Sequence, residues 1–148
     1  MWQPITRTDV PITQQFGVNP LDYRRYGLPG HNGLDFGVPT GTQLYAPADG
    51  VIVELSFDVG GYGLYIKLRC AQADWLYAHL SDTGSTAPGD EVVAATPIAR
   101  SGNTGNSTGP HVHVGYRPLF TLRETPYFGY VDPQPELEIL AQADSVPF

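Results

Sequence analysis

The stretch that decides the fold runs from residue 51 to residue 80 and contains three β-type segments: Val51-Ile-Val-Glu-Leu-Ser-Phe57, Leu64-Tyr-Ile-Lys-Leu-Arg69 and Trp75-Leu-Tyr-Ala-His-Leu80. Apolar and polar residues alternate regularly in the middle segment, and short turns rich in glycine or polar residues separate the three. Alternation with a period of two is typical of half-buried β-strands. The stretch therefore predicts three consecutive strands joined by turns, with Trp75, Tyr77 and His79 on one face of the third.

Shorter segments on both sides of this stretch continue the β pattern. We expect strands over Gln43–Tyr45, Glu91–Val93 and Pro97–Arg100, a helical turn at 21–26 and a short helix over 136–143. The 17 glycines and 14 prolines punctuate strand-like segments, as turns do in a β protein. The sequence therefore predicts an all-β fold, mainly an antiparallel sheet or sandwich, with a narrow groove, long loops and a short C-terminal helix.

Length and composition exclude several kinds of protein. The 148 residues fit a single domain, 1–148, that is long enough to bury a sizeable core. The net charge is −7 and Lys67 is the only lysine, so we expect neither nucleic acid nor a membrane as partner. Cys70 is the only cysteine, which excludes a disulfide framework. The sequence shows no signal-peptide pattern and no apolar run of membrane-spanning length.

Two histidines separated by one residue, His111 and His113, lie in the segment Thr108-Gly-Pro-His-Val-His-Val-Gly-Tyr116. In an extended strand, residues i and i+2 project from the same face, roughly 6–7 Å apart. Both imidazoles can then bind one metal ion, or one can bind it while the other faces a substrate. An isolated pair of this kind is equally compatible with two hydrogen-bonded histidines on a half-buried strand, so the choice depends on partners elsewhere in the chain.

Candidate partners exist in the other two histidines, His31 and His79, and in Asp35, four residues after His31. In a straight strand His31 and Asp35 would lie about 13 Å apart, too far to share a zinc ion. A shared ion requires a bend between them, and Asn32-Gly33 is a strong turn dipeptide. A catalytic zinc needs three protein ligands, so two of the five groups should act as acid, base or transition-state donors. Spacing alone does not say which.

Three motifs, in order along the chain, resemble those of the lysostaphin-type (LytM-type) zinc metallopeptidases: His31-x-x-x-Asp35, Tyr77-Ala-His79-Leu and Ser107-Thr-Gly-Pro-His111-Val-His113. With the phrases that connect them, the resemblance covers roughly residues 10–135. Val112 and Val114 stand where the family more often has Leu and Phe, which preserves strand character. The resemblance implies a lysostaphin-like fold of the duplicated-hybrid-motif type, with a short C-terminal extension beyond the matched part.

The resemblance also implies a role for each residue of the site. His31, Asp35 and His113 would hold one zinc ion per chain, and His79 and His111 would be the catalytic pair. The implied enzyme is a zinc metalloendopeptidase that hydrolyses peptide bonds in bacterial peptidoglycan, in a stem peptide or a cross-bridge, by means of a zinc-activated water. Its partners would be peptidoglycan peptides, its location the cell wall, the periplasm or a released lysin, and its state a monomer.

Three further points follow from related sequences. Some relatives that have lost zinc ligands act as inactive regulators of other wall hydrolases, whereas this chain retains all five site residues. The phrase Ala46-Pro-Ala-Asp-Gly-Val-Ile-Val53 resembles biotinyl and lipoyl carrier domains, but Lys67 lies within a predicted strand and not at a hairpin tip. The metallopeptidases often have a tyrosine upstream of the first ligand, for which Tyr26 and Tyr23 are the candidates.

Overall fold

The three segments predicted over residues 51–80 form consecutive antiparallel strands in the middle of the fold. The computed structural model of the chain describes residues 1–120 and 125–145. The helices are α1 (Pro20–Tyr23), a 3₁₀ helix (Arg24–Tyr26) and α2 (Gln134–Ser145). The strands are β1 (Trp2–Gln3), β2 (Thr8–Asp9), β3 (Ile12–Gln14), β4 (Leu34–Phe36), β5 (Gln43–Tyr45), β6 (Gly50–Asp58), β7 (Gly63–Cys70), β8 (Ala73–Asp82), β9 (Glu91–Val92), β10 (Pro97–Ser101) and β11 (Val112–Pro118).

Nine of these strands form one sheet. Its main path is β3-β4-β11-β8-β7-β6-β9, and β10 pairs with both β8 and β5. Strands β1 and β2 form a separate two-stranded sheet. All strand pairs of the described residues are antiparallel. The prediction of a mainly antiparallel all-β fold with a short C-terminal helix is confirmed.

The core lies on the sheet face that carries Val112 and Val114 of β11 and Tyr77 of β8. Each of these side chains is at most 1% exposed. Ile66 of β7 belongs to the same cluster, as the alternation predicted, and Leu137 of α2 joins it from the C-terminal helix. Full burial of an aliphatic side chain contributes about 1.5–3 kcal/mol. Because side chains alternate along a strand, residues 111 and 113 face the opposite side.

A β-bulge interrupts the pairing of β7 with β8. Leu64 pairs with Leu80, but Ile66 pairs with Tyr77, so β8 contains one residue more than β7 between the two pairs. Within the bulge, His79 has a φ of 61°, in the left-handed region that residues other than glycine seldom adopt. Bulges occur next to active sites because they redirect a side chain.

The bulge corrects one sequence-based prediction. Trp75 and Tyr77 share the core face as predicted, but His79 does not share it with them. Its ring lies 6.2 Å from that of His113, measured between centroids, on the far side of the sheet. Strict alternation would have placed this imidazole in the apolar core. The extra residue of the bulge, together with the left-handed backbone of His79, directs the imidazole to the opposite face of the sheet.

The sheet face opposite the core carries a groove of about 740 Å³. The four histidines line this groove. Its walls come from four segments of the chain, around residues 21–28, 58–62, 106–108 and 128–130. This groove corresponds to the one expected from the sequence. Among residues 1–120 and 125–145, no helix combines the length and apolar character needed to cross a membrane.

Candidate metal centre

Three side chains converge at the floor of the groove: His31, Asp35 and His113. His31 precedes β4, a bend at Gly33 follows it, and Asp35 lies within β4 directly opposite His113 of β11. Nε2 of His31 is 3.1 Å from Oδ1 of Asp35, and Nδ1 of His113 is 3.0 Å from both atoms. These atoms form a nearly equilateral triangle, and the bend expected at Asn32-Gly33 is what closes it.

The tautomer of His31 and the charge of Asp35 suit metal binding. Nδ1 of His31 donates to the carbonyl of Gln15 at 3.0 Å, which leaves its Nε2 as a free lone pair. Burial raises the pKa of Asp35, but the contacts with the His113 and His31 imidazoles outweigh it and hold this pKa well below its ordinary value. Burial lowers the pKa of His113, so its ring is neutral at pH 7.

The donor set fits a zinc ion. Ligand atoms at zinc bond lengths in tetrahedral geometry lie roughly 3.3 Å from one another, close to the separations of 3.0–3.1 Å between these three atoms. Two imidazole nitrogens and one carboxylate oxygen leave a fourth position open, as catalytic zinc sites do. Among the described residues, His31, Asp35 and His113 are the group of His, Cys, Asp or Glu side chains whose ligand atoms lie close enough together to hold one metal ion.

Gly33 is required by the packing of this centre. A Cβ atom at residue 33 would lie 2.7 Å from Cε1 and 2.9 Å from Nε2 of His113, and closer still to the carbonyl oxygen of Val114. The His113 ring therefore packs directly on the backbone of the bend. Its Nε2 is buried and has no hydrogen-bond partner within the described parts of the chain.

His79 and His111 lie beside this triangle. Nδ1 of His79 donates to the carbonyl of Thr104 at 2.7 Å, and Nδ1 of His111 donates to that of Gly109 at 2.8 Å. Both rings consequently keep Nε2 available, and the Nε2 of His111 is 3.5 Å from Oδ2 of Asp35. Burial lowers the pKa of His79 to about 4, so this imidazole is neutral at pH 7.

The two rings are also neighbours of each other. Their centroids are 4.7 Å apart, and the side chain of His79 is buried whereas that of His111 is 17% exposed. The structure thus brings together all five residues singled out from the sequence: three around one point, and two imidazoles beside them. Such an arrangement can hold a divalent metal ion and move a proton next to it.

The two candidate tyrosines have different surroundings. The ring of Tyr23 lies 5.2 Å from that of His31, and its hydroxyl donates to Oε1 of Gln14 at 3.0 Å. Burial and the charge of Asp35 raise the pKa of Tyr23 to about 12. Tyr26 is involved in contacts farther from the triangle, so Tyr23 is the one beside a ligand.

The Tyr26 hydroxyl connects three loops that wall the groove. It donates to the carbonyl of Gly60 at 2.8 Å and accepts from Nδ2 of Asn106 at 2.7 Å. Residue 26 belongs to the 3₁₀ helix, residue 60 to the β6–β7 turn, and residue 106 to the loop before β11. One phenol therefore holds three separate segments together.

Several groups at the site were not anticipated from the sequence. Tyr62 lies in the groove, where it accepts from Nδ2 of Asn32 at 2.8 Å and its ring is 5.6 Å from that of His113. Its position in a Gly-Gly-Tyr-Gly turn, an aromatic residue among glycines, was the available signal. The carbonyls of Gln15 and Thr104 orient two of the histidines, and a backbone carbonyl leaves no signal in a sequence.

Comparison with known proteins gives a consistent result. The model of peptidase family M23 matches residues 29–125. The chain is 36% identical over 147 residues to the DD-carboxypeptidase/endopeptidase Mpg of Neisseria meningitidis, an alignment that covers 90% of this chain and 32% of that protein. It is 38% identical over 84 residues to the peptidoglycan DD-endopeptidase ShyA of Vibrio cholerae, covering 56% of this chain and 19% of that protein.

A solved structure agrees with these matches. The catalytic domain of the antimicrobial peptidase lysostaphin from Staphylococcus simulans superposes with a TM-score of 0.74 and 31% sequence identity. The superposition covers 87% of this chain and 92% of that domain. The expected lysostaphin-like fold is therefore confirmed. The chain spans about a third or less of the length of the two curated relatives, Mpg and ShyA.

Proposed function

The chain belongs to peptidase family M23, and from this membership and its site we propose that it is a zinc-dependent endopeptidase that hydrolyses peptide bonds in bacterial peptidoglycan. The observation that carries the proposal is the triangle of ligand atoms, with sides of 3.0–3.1 Å, flanked by two imidazoles in one groove. An inactive regulator of other hydrolases would not need this complete set. The names of relatives such as ShyA support peptidoglycan as the substrate.

In this proposal His31, Asp35 and His113 hold one zinc ion per chain. When bound, zinc polarises the scissile carbonyl and lowers the pKa of a water molecule towards neutrality. The chain prepares these ligands in advance, because Gln15 fixes the tautomer of His31 and the pKa of Asp35 is held low. The ligands therefore need little rearrangement on binding.

His79 and His111 are the proton-handling pair. Each donates through Nδ1 to a backbone carbonyl, which keeps Nε2 free to accept a proton from the attacking water. Once protonated, the same nitrogen is a charged hydrogen-bond donor for the oxyanion that develops on the scissile carbonyl. The two rings are 4.7 Å apart between centroids and both line the groove, which supports a shared part in proton transfer.

We take residues 1–148 as a single catalytic domain that acts as a monomer on the cell wall, in the periplasm or as a released lysin. Part of the groove wall consists of the small residues Gly61, Ser107 and Thr108, which suits an extended peptide with small side chains. Stem peptides and cross-bridges of peptidoglycan are peptides of this kind.

The test is digestion of purified peptidoglycan from bacteria with different cross-bridges, followed by mass analysis of the soluble fragments. We expect zinc-loaded protein to release fragments with new peptide termini, and chelated protein or the His111→Ala variant to release none. Zinc-loaded, folded protein that releases no fragment from any wall preparation would overturn the proposal. A preparation that cannot be loaded with zinc would favour the non-enzymatic regulator instead.

A further inference from the structure

The loop before β11 makes an unusual set of bonds through one residue, Thr104. Its carbonyl accepts a hydrogen bond from Nδ1 of His79 at 2.7 Å. Its hydroxyl accepts from the backbone N–H of Leu64 at 3.0 Å and donates to the carbonyl of Leu80 at 2.8 Å. Leu64 and Leu80 are the strand pair on one side of the bulge that contains His79. Thr104 therefore bonds to both strands at the bulge and to the imidazole that the bulge turns towards the groove.

The backbone around Thr104 is fixed against the β6–β7 turn. Gly63 has a φ of 64°, and a Cβ atom on it would lie 2.5 Å from the Thr104 hydroxyl oxygen and 2.6 Å from the nitrogen of Gly105. The N–H of Asn106 donates to the carbonyl of Gly61 at 2.8 Å. The two segments thus touch through their glycines, and the carbonyl of Thr104 is held at a defined position.

We propose that Thr104 is the positioning residue for His79: its side chain fastens the loop to the bulge, so that its carbonyl holds the imidazole with Nδ1 protonated and Nε2 facing the groove. A carbonyl oxygen can only accept a hydrogen bond, so this contact selects one tautomer. The inference rests on the proposed function, because it assigns His79 a part in hydrolysis. The inference extends that function by naming a residue that contacts His79 and lies outside the ligand triangle and the groove lining.

The position of the imidazole depends on this contact for a geometric reason. His79 has a strained left-handed backbone, which the N–H of His79 stabilises by donating to the carbonyl of Tyr62 at 2.7 Å. That bond fixes the main chain, but the ring can still rotate about its side-chain bonds. The carbonyl of Thr104 is the partner that restrains ring rotation, and the Thr104 hydroxyl holds that carbonyl in place together with the glycine contacts of its loop.

The experiment compares Thr104→Val, which deletes the hydroxyl with little change in shape, with Thr104→Ser, which retains it. In zinc-loaded protein we expect Thr104→Val to lower kcat roughly 10- to 100-fold with KM nearly unchanged, as misplacement of a reacting group does. Thr104→Ser should restore most of kcat. The matched control is Thr86→Val, which deletes a hydroxyl that donates to the carbonyl of Ile98 at 2.8 Å. Neither residue lines the groove, so this variant should keep wild-type kcat.

Zinc content and thermal unfolding are measured on the same samples. A folded, zinc-loaded Thr104→Val variant with wild-type kcat would overturn the proposal. So would a loss of kcat that merely follows a loss of zinc or of Tm and that Thr104→Ser does not restore, because that result indicates a structural role.

A second measurement needs no variant. In histidine-labelled wild-type protein, ¹⁵N–¹H correlation spectra distinguish the two imidazole tautomers, and we expect Nδ1 of His79 to carry the proton. A ring of His79 protonated at Nε2 would contradict the assignment even if Thr104→Val failed to fold. If wild-type protein proved inactive on every wall preparation, the proposed function would fail while these spectra still reported on the contact between Thr104 and His79.

Discussion

Replacement of Gly33 by alanine tests the metal centre through a single added methyl group. The backbone of Gly33 does not have a positive φ, so alanine causes no conformational strain and the effect is steric. The new Cβ atom would clash with the carbonyl oxygen of Val114 and would lie 2.7 Å from Cε1 of His113, whereas ordinary contact begins at 3.4 Å. The ring or the bend must therefore move by at least about 0.7 Å, which is more than the roughly 0.2 Å by which zinc–ligand distances vary.

We expect Gly33→Ala to weaken zinc binding by roughly 100-fold, since disturbing even an outer partner of a ligand costs about 10- to 100-fold. The free energy of unfolding of the metal-free protein should fall by about 1–3 kcal/mol through overpacking. Zinc affinity is measured by competition with a chromogenic chelator, and stability by urea unfolding. Gly60→Ala is the control, because a Cβ atom there meets open space. Wild-type zinc affinity in Gly33→Ala would refute the packing of His113 against the bend.

Three further predictions concern the division of roles, acid stability and thiol reactivity. His113→Ala should lose both zinc and activity, whereas His111→Ala should keep zinc and lose activity; metal analysis with the reverse pattern would contradict the assignment. Asp74 is buried and bonded to Arg69 and Arg117 at 2.8–3.0 Å; burial raises its pKa, but the two arginines outweigh this and lower it. Asp74→Asn should therefore lower the free energy of unfolding by about 2 kcal/mol at pH 7. The deficit should shrink as the pH falls below about 4 and is lost through the depressed pKa of Asp74. A deficit that stayed constant from pH 7 to pH 2 in urea unfolding would refute the ion pair. Burial and the charges of nearby aspartates raise the pKa of Cys70 to about 11, so its reaction with a thiol reagent at pH 7 should be slow until the chain unfolds; fast labelling of folded protein would show that it is accessible.

Much of the fold could be predicted from local patterns. Strand β7 alternates apolar and polar residues over six positions, and β6 and β8 are segments rich in β-branched and aromatic residues between turns of glycine or polar residues. Local composition and periodicity were therefore sufficient for these three strands. The ends of β8 extend beyond the predicted Trp75–Leu80 at both sides, as pairing with β11 and β10 lengthens it. Strand β4 has only three residues, too few to show a periodic pattern in the sequence. It forms because it pairs with β3 and β11, and local patterns do not reveal such long-range pairing.

The site was predictable in its members but not in its geometry. The spacing of His111 and His113 placed both on one strand face, and the turn residues between His31 and Asp35 indicated the bend. The orientation of His79 could not be predicted, because it depends on a bulge that arises from the register of two strands and on a carbonyl supplied by a distant loop. Tyr62 also stayed unrecognised, since an isolated aromatic residue in a turn carries no periodic signal.

The bulge in β8 has a consequence for comparing related chains. Side chains alternate with a period of two, so the extra residue between Tyr77 and Leu80 is what allows His79 to face the groove while Leu80 faces the core. A chain of the same length that paired these strands without a bulge would direct its histidine into the apolar interior and its leucine out of it, although both residue types were still present in its sequence. The presence of the bulge, and not only the identity of the histidine, therefore distinguishes homologues that can present an imidazole to the groove from those that have lost the ability.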